Sequence, residues 1–201
     1  MELIHLSISQ LKTFHRCSLQ YYYAHILKIK KPIQISFVGG RAGHKALEKN
    51  FLYKEVNKKD LDQNLLCDHF STEFDTSFQK EEIIENEPRE KVKDSTVAVL
   101  KEYHKIRAPK IQPREGFIER VFEITFENVP WTIKGYIDLV TTKDILIDYK
   151  ITKMKHNKDD YEYDPQLLCY PLGFKAITGY LPKQFIFDFL KRTKEPTLEQ
   201  F

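Results

Sequence analysis

The change in hydrophobic period near Pro109 and Pro113 constrains the fold more than any other feature of the sequence. Before these prolines, apolar residues recur at helical spacing, and after them they roughly alternate with polar residues, as in strands. Residues 117–126, 131–140 and 145–151 form three β-rich segments that short turns separate. The sequence therefore predicts a meander of three strands that follows a largely helical half.

The helical half carries the spacing of four helices. The first is expected to begin at Ser7, because Ser7 and Gln10 fit a capping box in which both side chains satisfy free backbone N–H groups. The others are expected over residues 37–53, 61–78 and 88–106, the last with Pro88 in its first turn. Apolar residues recur at helical spacing at Leu11, Phe14, Cys17, Leu19, Tyr22 and Ile26 on the first helix and at Leu61, Leu65, Phe70, Phe74 and Phe78 on the third. Val92, Val99, Leu100 and Tyr103 are predicted to form the buried stripe of the fourth.

The C-terminal part is expected to continue the α/β pattern. A polar loop over residues 152–164 precedes a helix that Pro165 opens and Gly179 ends, and residues 185–190 read as a final strand. Helices followed by β-β-β-α-β predict an α/β fold with a mixed central sheet. We expect residues 1–201 to form one domain, with residues 55–110 as a helical insertion within it.

Composition excludes several classes of protein. Hydrophobic residues make up 41% and the formal net charge is only +3, so any surface for nucleic acid must be a local one. Cys17, Cys67 and Cys169 are far apart and form no CxxC pair, which argues against disulfides and a zinc ribbon. Without a leader pattern or a long apolar run, we expect a protein of the cytoplasm, or of the compartment that holds DNA, that is neither secreted nor membrane-bound.

The residues best suited to chemistry lie on the second and third strands. Asp148 and Lys150 are two apart, so they point to the same face, and the short turn brings Asp138 beside Asp148. Carboxylates among apolar residues normally have a partner or a metal. Two of them beside a lysine suit a hard cation such as Mg²⁺. A structural Asp–Lys ion pair is the competing interpretation of these residues alone.

Five motifs in chain order resemble the PD-(D/E)XK nuclease superfamily and, within it, the RecB-like exonuclease branch. Each motif alone is weak, but five in order, each on the expected type of element, are specific. They are an opening helix from Ser9-Gln10-Leu11 through Arg16-Cys17 to Tyr21-Tyr22-Tyr23, a Gly-x-x-x-His helix at Gly40 to His44, a G-x-x-D element at Gly135 to Asp138, a D-x-K element at Asp148-Tyr149-Lys150, and a Q-x-x-x-Y helix at Gln166 to Tyr170.

The resemblance implies a restriction-endonuclease-like core with an N-terminal helical subdomain. It also implies a DNA nuclease that uses Mg²⁺ or Mn²⁺, with exonuclease favoured over endonuclease action on single- or double-stranded DNA. His44, Asp138, Asp148 and the Tyr149 carbonyl are the implied metal ligands. Lys150 is the implied catalytic lysine. Gln166 and Tyr170 share one helix face, and the resemblance places them in the catalytic set, beside the DNA or Lys150.

Four further residues are expected to support this site. Glu119 on the first strand is a candidate to orient the metal site, although a salt bridge is an equal alternative. Arg16 and Tyr22 on the opening helix, and Arg41 on the Gly-x-x-x-His helix, are candidates to contact DNA through phosphates or stacked bases.

The sequence also departs from some relatives of that branch. Several carry an iron–sulfur cluster on four cysteines, and no cysteine follows Cys169, so no cluster is expected here. The chain has no Walker A motif, and a helicase or another protein partner would have to be a separate polypeptide or lie beyond Phe201. Two alternatives stay open: a non-catalytic module that binds nucleic acid, and a nuclease subunit that is active only with a partner.

Overall fold

The computed structural model describes residues 4–154 and 161–201, so part of the predicted polar loop lies outside the described residues. The strands are β1 (Ile4–Ser7), β2 (Ile33–Gln34), β3 (Ile83–Ile84), β4 (Pro113–Thr125), β5 (Trp131–Thr141), β6 (Ile145–Thr152), β7 (Gln184–Lys191) and β8 (Thr197–Gln200). The helices are α1 (Ile8–Arg16), α2 (Ser18–Tyr21), α3 (Ile35–Asn57), α4 (Gln63–Lys80), α5 (Arg89–Ile106) and α6 (Gln166–Thr178), with a π-helical turn at Tyr22–Ile26 and a 3₁₀ turn at Ala108–Lys110.

Within the described residues, the main sheet has six strands and mixed pairing. β4, β5 and β6 are antiparallel neighbours, which confirms the predicted meander. β7 runs parallel to β6 because α6 carries the chain back across the sheet, and β8 then pairs antiparallel with β7. The short strands β1 and β8 were not predicted, since four residues are too few to show a period.

Strand pairing around β5 opens the sheet next to Asp138. β4 pairs along one edge of β5. On the other edge β1 pairs only as far as Lys134, and β6 pairs only at Leu139 and Val140. Because β1 and β6 flank this stretch from opposite ends, Gly135–Asp138 lies where the two strands separate. The last residue of the predicted G-x-x-D element therefore faces a notch in the sheet.

Helices cover both faces of the sheet, as predicted. α3, α4 and α5 pack together against one face, where Leu139, Ile147 and Leu190 contribute to a shared core. α6 packs on the other face with Phe122, Ile137 and Leu146. None of the helices within residues 4–154 and 161–201 combines the length and the apolarity that crossing a bilayer requires.

The four predicted helices form, with differences at the first and fourth. Ser7 caps α1 as expected: its hydroxyl accepts from Gln10 N at 3.2 Å, and Gln10 Oε1 accepts from Ser7 N at 2.6 Å. The helix then ends at Cys17, whose backbone is extended, so the predicted stripe is broken. α5 buries its predicted stripe, although Pro88 is its N-cap and not part of its first turn. Of the apolar residues at helical spacing in the first and third predicted helices, those found exposed are Phe14, Cys17, Leu19, Tyr22, Ile26 and Leu65.

Two glycines clamp the ring of Phe122 and set the position of α6 against the sheet. A Cβ on Gly173 of α6, or on Gly135 of β5, would overlap that ring. We expect Gly173→Ala to lower the free energy of unfolding by about 1–2 kcal/mol, since overpacking outweighs the better helix propensity of alanine. Urea unfolding measures this loss. Exposed Ala176 on the same helix provides the control, because Ala176→Gly should cost only about 1 kcal/mol of helix propensity. A stabilised Gly173→Ala protein would contradict the clamp.

Candidate active site

Gln166 at the start of α6 joins the two residues of the D-x-K element. Its amide nitrogen donates to Asp148 Oδ1 at 2.9 Å and to the Tyr170 hydroxyl at 3.0 Å. Its amide oxygen accepts from Lys150 Nζ at 2.9 Å, and Lys150 also forms an ion pair with Asp148. Asp148, Lys150, Gln166 and Tyr170 are therefore one hydrogen-bonded network.

His44, Asp138 and Glu119 form a second group at the notch in the sheet. Each offers one potential ligand atom, and these atoms lie within 4.8 Å of one another. Asp138 Oδ2 is 3.3 Å from His44 Nδ1 and accepts from the Tyr149 backbone N–H at 2.8 Å. This last contact ties the acid of β5 to β6 where the strands separate.

Local backbone geometry explains how Glu119 reaches the group. Ile118 pairs with Leu139 and Arg120 with Ile137, so Glu119 lies opposite Asp138 across β4 and β5. β4 shifts register just before this point, and Glu119 has a left-handed backbone with φ of 47°. A non-glycine residue in that conformation is strained and often marks a functional site. The register counted outward from the hairpin turn already places Glu119 opposite Asp138. That count could have identified Glu119 as a member of the group with His44 and Asp138.

His44 is placed by the close packing of α3 against β6. A Cβ on Gly43 would overlap the side chain of Ile151, so the helix approaches the strand more closely than an alanine would allow. The next residue, His44, then faces Asp138, and its ring meets the Tyr149 ring edge-on at 6.2 Å between centroids. The glycines near His44 therefore serve contact between elements of the fold.

Burial and neighbouring charges shift the pKa of the carboxylates, the histidine and the lysine in these two groups. Burial and the charge of Asp138 raise the pKa of Glu119 to about 7. Burial and Asp138 also raise the pKa of Asp148, against the effect of Lys150. For Asp138 itself, burial is outweighed by His44 and the Tyr149 N–H, and its pKa is lowered. The pKa of His44 and of Lys150 is raised despite burial, because each faces a carboxylate.

The donor set fits a divalent cation. Carboxylate oxygens are the ligands that Mg²⁺ and Mn²⁺ prefer, and an imidazole nitrogen is accepted more readily by a transition metal. Burial and the nearby charge of Asp138 raise the pKa of Glu119, and a cation between the two acids would oppose both effects. Asp148 is directed to Lys150 and Gln166, so its predicted role as a ligand remains a prediction.

The two groups lie in a cleft with two arms that meet at Phe37, Asp138 and Lys150. The first arm, of about 870 Å³, runs between α1, β5 and the start of α6. The second, of about 490 Å³, runs along α3. Basic and aromatic side chains line both arms, which suits a polyanion with bases. They are Lys12, Arg16, Lys134, Tyr136 and Tyr163 in the first arm and Arg41, Lys45 and Tyr161 in the second, with Phe37 shared.

The three predicted DNA contacts occupy different environments. Arg16 lines the first arm and donates to Gln20 Oε1 at 3.1 Å. Arg41 lines the second arm, but both of its terminal nitrogens donate to Glu81. Tyr22 packs against Tyr23 and is not among the residues that line either arm. The sequence interpretation missed Lys12 and Phe37, whose place in the cleft depends on contacts between distant segments.

Comparison with known proteins identifies the family of the chain. The family model of the PD-(D/E)XK nuclease superfamily matches residues 5–200, and the chain belongs to that superfamily. No curated protein matches in sequence. A crystal structure of a candidate exonuclease from Eubacterium rectale is similar in fold, with a TM-score of 0.59, 14% identity, and coverage of 98% of this chain and 71% of that one. The chain is thus a nuclease of a superfamily that uses divalent metal ions, and its substrate is nucleic acid.

Proposed function

We propose that the protein is a DNA exonuclease that hydrolyses phosphodiester bonds with Mn²⁺ or Mg²⁺. The observation that carries the proposal is the convergence of His44, Glu119 and Asp138 beside the Asp148–Lys150 pair, at the point where the two arms of the cleft meet. A strand that followed the cleft would bring one phosphodiester to these residues. The similarity in fold to a candidate exonuclease supports action from an end.

Different residues of the chain would bind the metal, stabilise charge and position Lys150. A divalent cation held by His44, Glu119 and Asp138, with Asp148 beside them, would polarise the phosphodiester and lower the pKa of a bound water. Lys150 presents its ammonium at the same place, where it stabilises the negative charge that develops on the phosphoryl oxygens. Asp148 and Gln166 hold that ammonium in position.

The mixed donor set favours one metal over the other. An imidazole binds Mn²⁺ more strongly than Mg²⁺, in line with the general order of affinity for nitrogen ligands. We expect both ions to support cleavage, with the higher activity in Mn²⁺ at equal concentration. The protein would act wherever the cell keeps its DNA.

Cleavage assays on defined substrates test the proposal. End-labelled linear single- and double-stranded DNA, circular DNA of the same sequence and matched RNA are incubated with Mn²⁺, Mg²⁺ or chelator. We expect metal-dependent loss of linear DNA, with circular DNA resistant because it has no ends. Asp148→Ala and Lys150→Ala should each lower kcat by about 10²–10³-fold, the usual effect of removing a group that stabilises the transition state. Exposed Lys143, in the β5–β6 turn, supplies the matched control Lys143→Ala.

Each other outcome has a distinct meaning. Cutting of circular DNA would replace exonuclease by endonuclease action, and preferential cutting of RNA would overturn the DNA assignment. Metal-dependent cleavage that both variants retain would remove the proposed site. Binding of DNA by a wild-type protein that does not cut would favour the non-catalytic module or the subunit that needs a partner.

A further inference from the structure

We propose that Lys12 of α1 is a positioning residue for the reaction, which acts by holding the carboxamide of Gln166 in one orientation. The inference rests on the proposed function, because it concerns the network around Lys150. Lys12 Nζ donates to Gln166 Oε1 at 3.2 Å and forms an ion pair with Asp164 Oδ2 at 2.6 Å. Lys12 also lines the first arm of the cleft.

With Lys12 in place, the Gln166 carboxamide uses its full hydrogen-bonding capacity. A carboxamide has two N–H donors and an oxygen with two lone pairs. The donors reach Asp148 and Tyr170, and the oxygen accepts from Lys150 and Lys12. A carboxamide turned by 180° would place its NH₂ against two ammonium groups and its oxygen against the Asp148 carboxylate. Lys12 therefore adds to the electrostatic preference for the orientation that holds Asp148 and Lys150.

Asp164 fixes Lys12 and Gln166 relative to each other. Its side chain is only 7% exposed, one oxygen pairs with Lys12, and the other accepts from the Gln166 backbone N–H at 2.9 Å. The backbone and the side chain of Gln166 are thus both held by this pair. Because Lys12 is on α1, the contact also joins the N-terminal helix to the catalytic network.

Steady-state kinetics with a double-mutant cycle test the role. We expect Lys12→Met to lower kcat about tenfold with little change in KM, since residues that orient catalytic groups commonly contribute 10- to 100-fold. Lys12→Arg, which keeps a donor, should recover most of the rate. In a Gln166→Ala background Lys12→Met should have no further effect on kcat, because its partner is gone. Lys175→Met, at an exposed position of α6, is the matched control.

Contrary results are equally specific. A raised KM with unchanged kcat would show that Lys12 contacts the substrate and does not act through Gln166. Reductions in kcat that multiply in the double variant would also overturn the proposal.

Thermal unfolding without DNA or metal separates this inference from the proposed function. If the wild type does not cut DNA, the proposed function fails. The wild type, Lys12→Met, Gln166→Ala and the double variant are then compared by melting temperature. The fall in melting temperature from Lys12→Met should be smaller in the Gln166→Ala background than in the wild type. Equal falls in the two backgrounds would overturn the coupling between Lys12 and Gln166.

Discussion

Asp138→Asn should abolish most metal-dependent cleavage, with kcat/KM in Mn²⁺ reduced by about 10³-fold or more. The substitution keeps the shape of the side chain and an oxygen that accepts from the Tyr149 N–H. It removes the negative charge that Asp138 contributes to the group of His44, Glu119 and Asp138. A catalytic metal ion lowers the activation barrier by several kcal/mol, and each 1.4 kcal/mol changes the rate tenfold. Initial rates on linear DNA measure the loss of cleavage, and calorimetric titration with Mn²⁺ measures the loss of metal binding.

The same variant should lose its response to Mn²⁺. Asp138 pairs with His44 and accepts from the Tyr149 N–H, and these contacts lower its pKa, so the ionised carboxylate stabilises the fold near neutral pH. We expect Asp138→Asn without metal to melt below the wild type, and the increase in melting temperature that Mn²⁺ produces in the wild type to be lost. Asp144→Asn, in the turn between β5 and β6, is the matched control, and its Mn²⁺ affinity should be unchanged. Unchanged Mn²⁺ binding by Asp138→Asn would exclude Asp138 as a ligand.

Arg107→Met should lower the free energy of unfolding by about 3–5 kcal/mol, the usual result of leaving a buried charge without its partner. Asp188 on β7 is 0% exposed, and Arg107 at the end of α5 pairs with its Oδ1. Gln200 of β8 donates to the other oxygen at 3.1 Å, and Arg107 donates to the Glu199 carbonyl at 3.3 Å. The arginine thus connects α5 to the last two strands, and urea unfolding with a fluorescence or circular dichroism signal measures its loss.

Two comparisons make this prediction specific. Arg107→Met combined with Asp188→Leu should recover most of the stability, because the unpaired charge is then gone. Lys153→Met breaks the exposed ion pair with Glu87 and should change stability by less than about 1 kcal/mol. If Arg107→Met were as mild as Lys153→Met, the buried pair would not stabilise the fold.

The parts of the fold that depend on neighbouring residues were predictable. The capping box at Ser7, the left-handed Gly179 that ends α6, and the meander are each specified by a few residues close in the chain. Asp148 and Lys150 share a face because strand side chains alternate. The end of α1 was predicted wrongly for a related reason. Apolar residues continue at helical spacing through Cys17, but the backbone becomes extended there, and the spacing gives no sign of that break.

Only part of the candidate site, by contrast, could be predicted from residues close in the chain. The sequence by itself indicated which residues are suited to the proposed chemistry, because carboxylates beside a lysine on an apolar strand need a partner or a metal. The tertiary structure brought Glu119, which lies opposite Asp138, together with His44. It also decided that Lys12 contacts Gln166 across 154 residues of chain, and that Arg107 pairs with Asp188 across 81. These contacts follow from strand register and from the packing of distant helices, and both are set by the burial of the whole core.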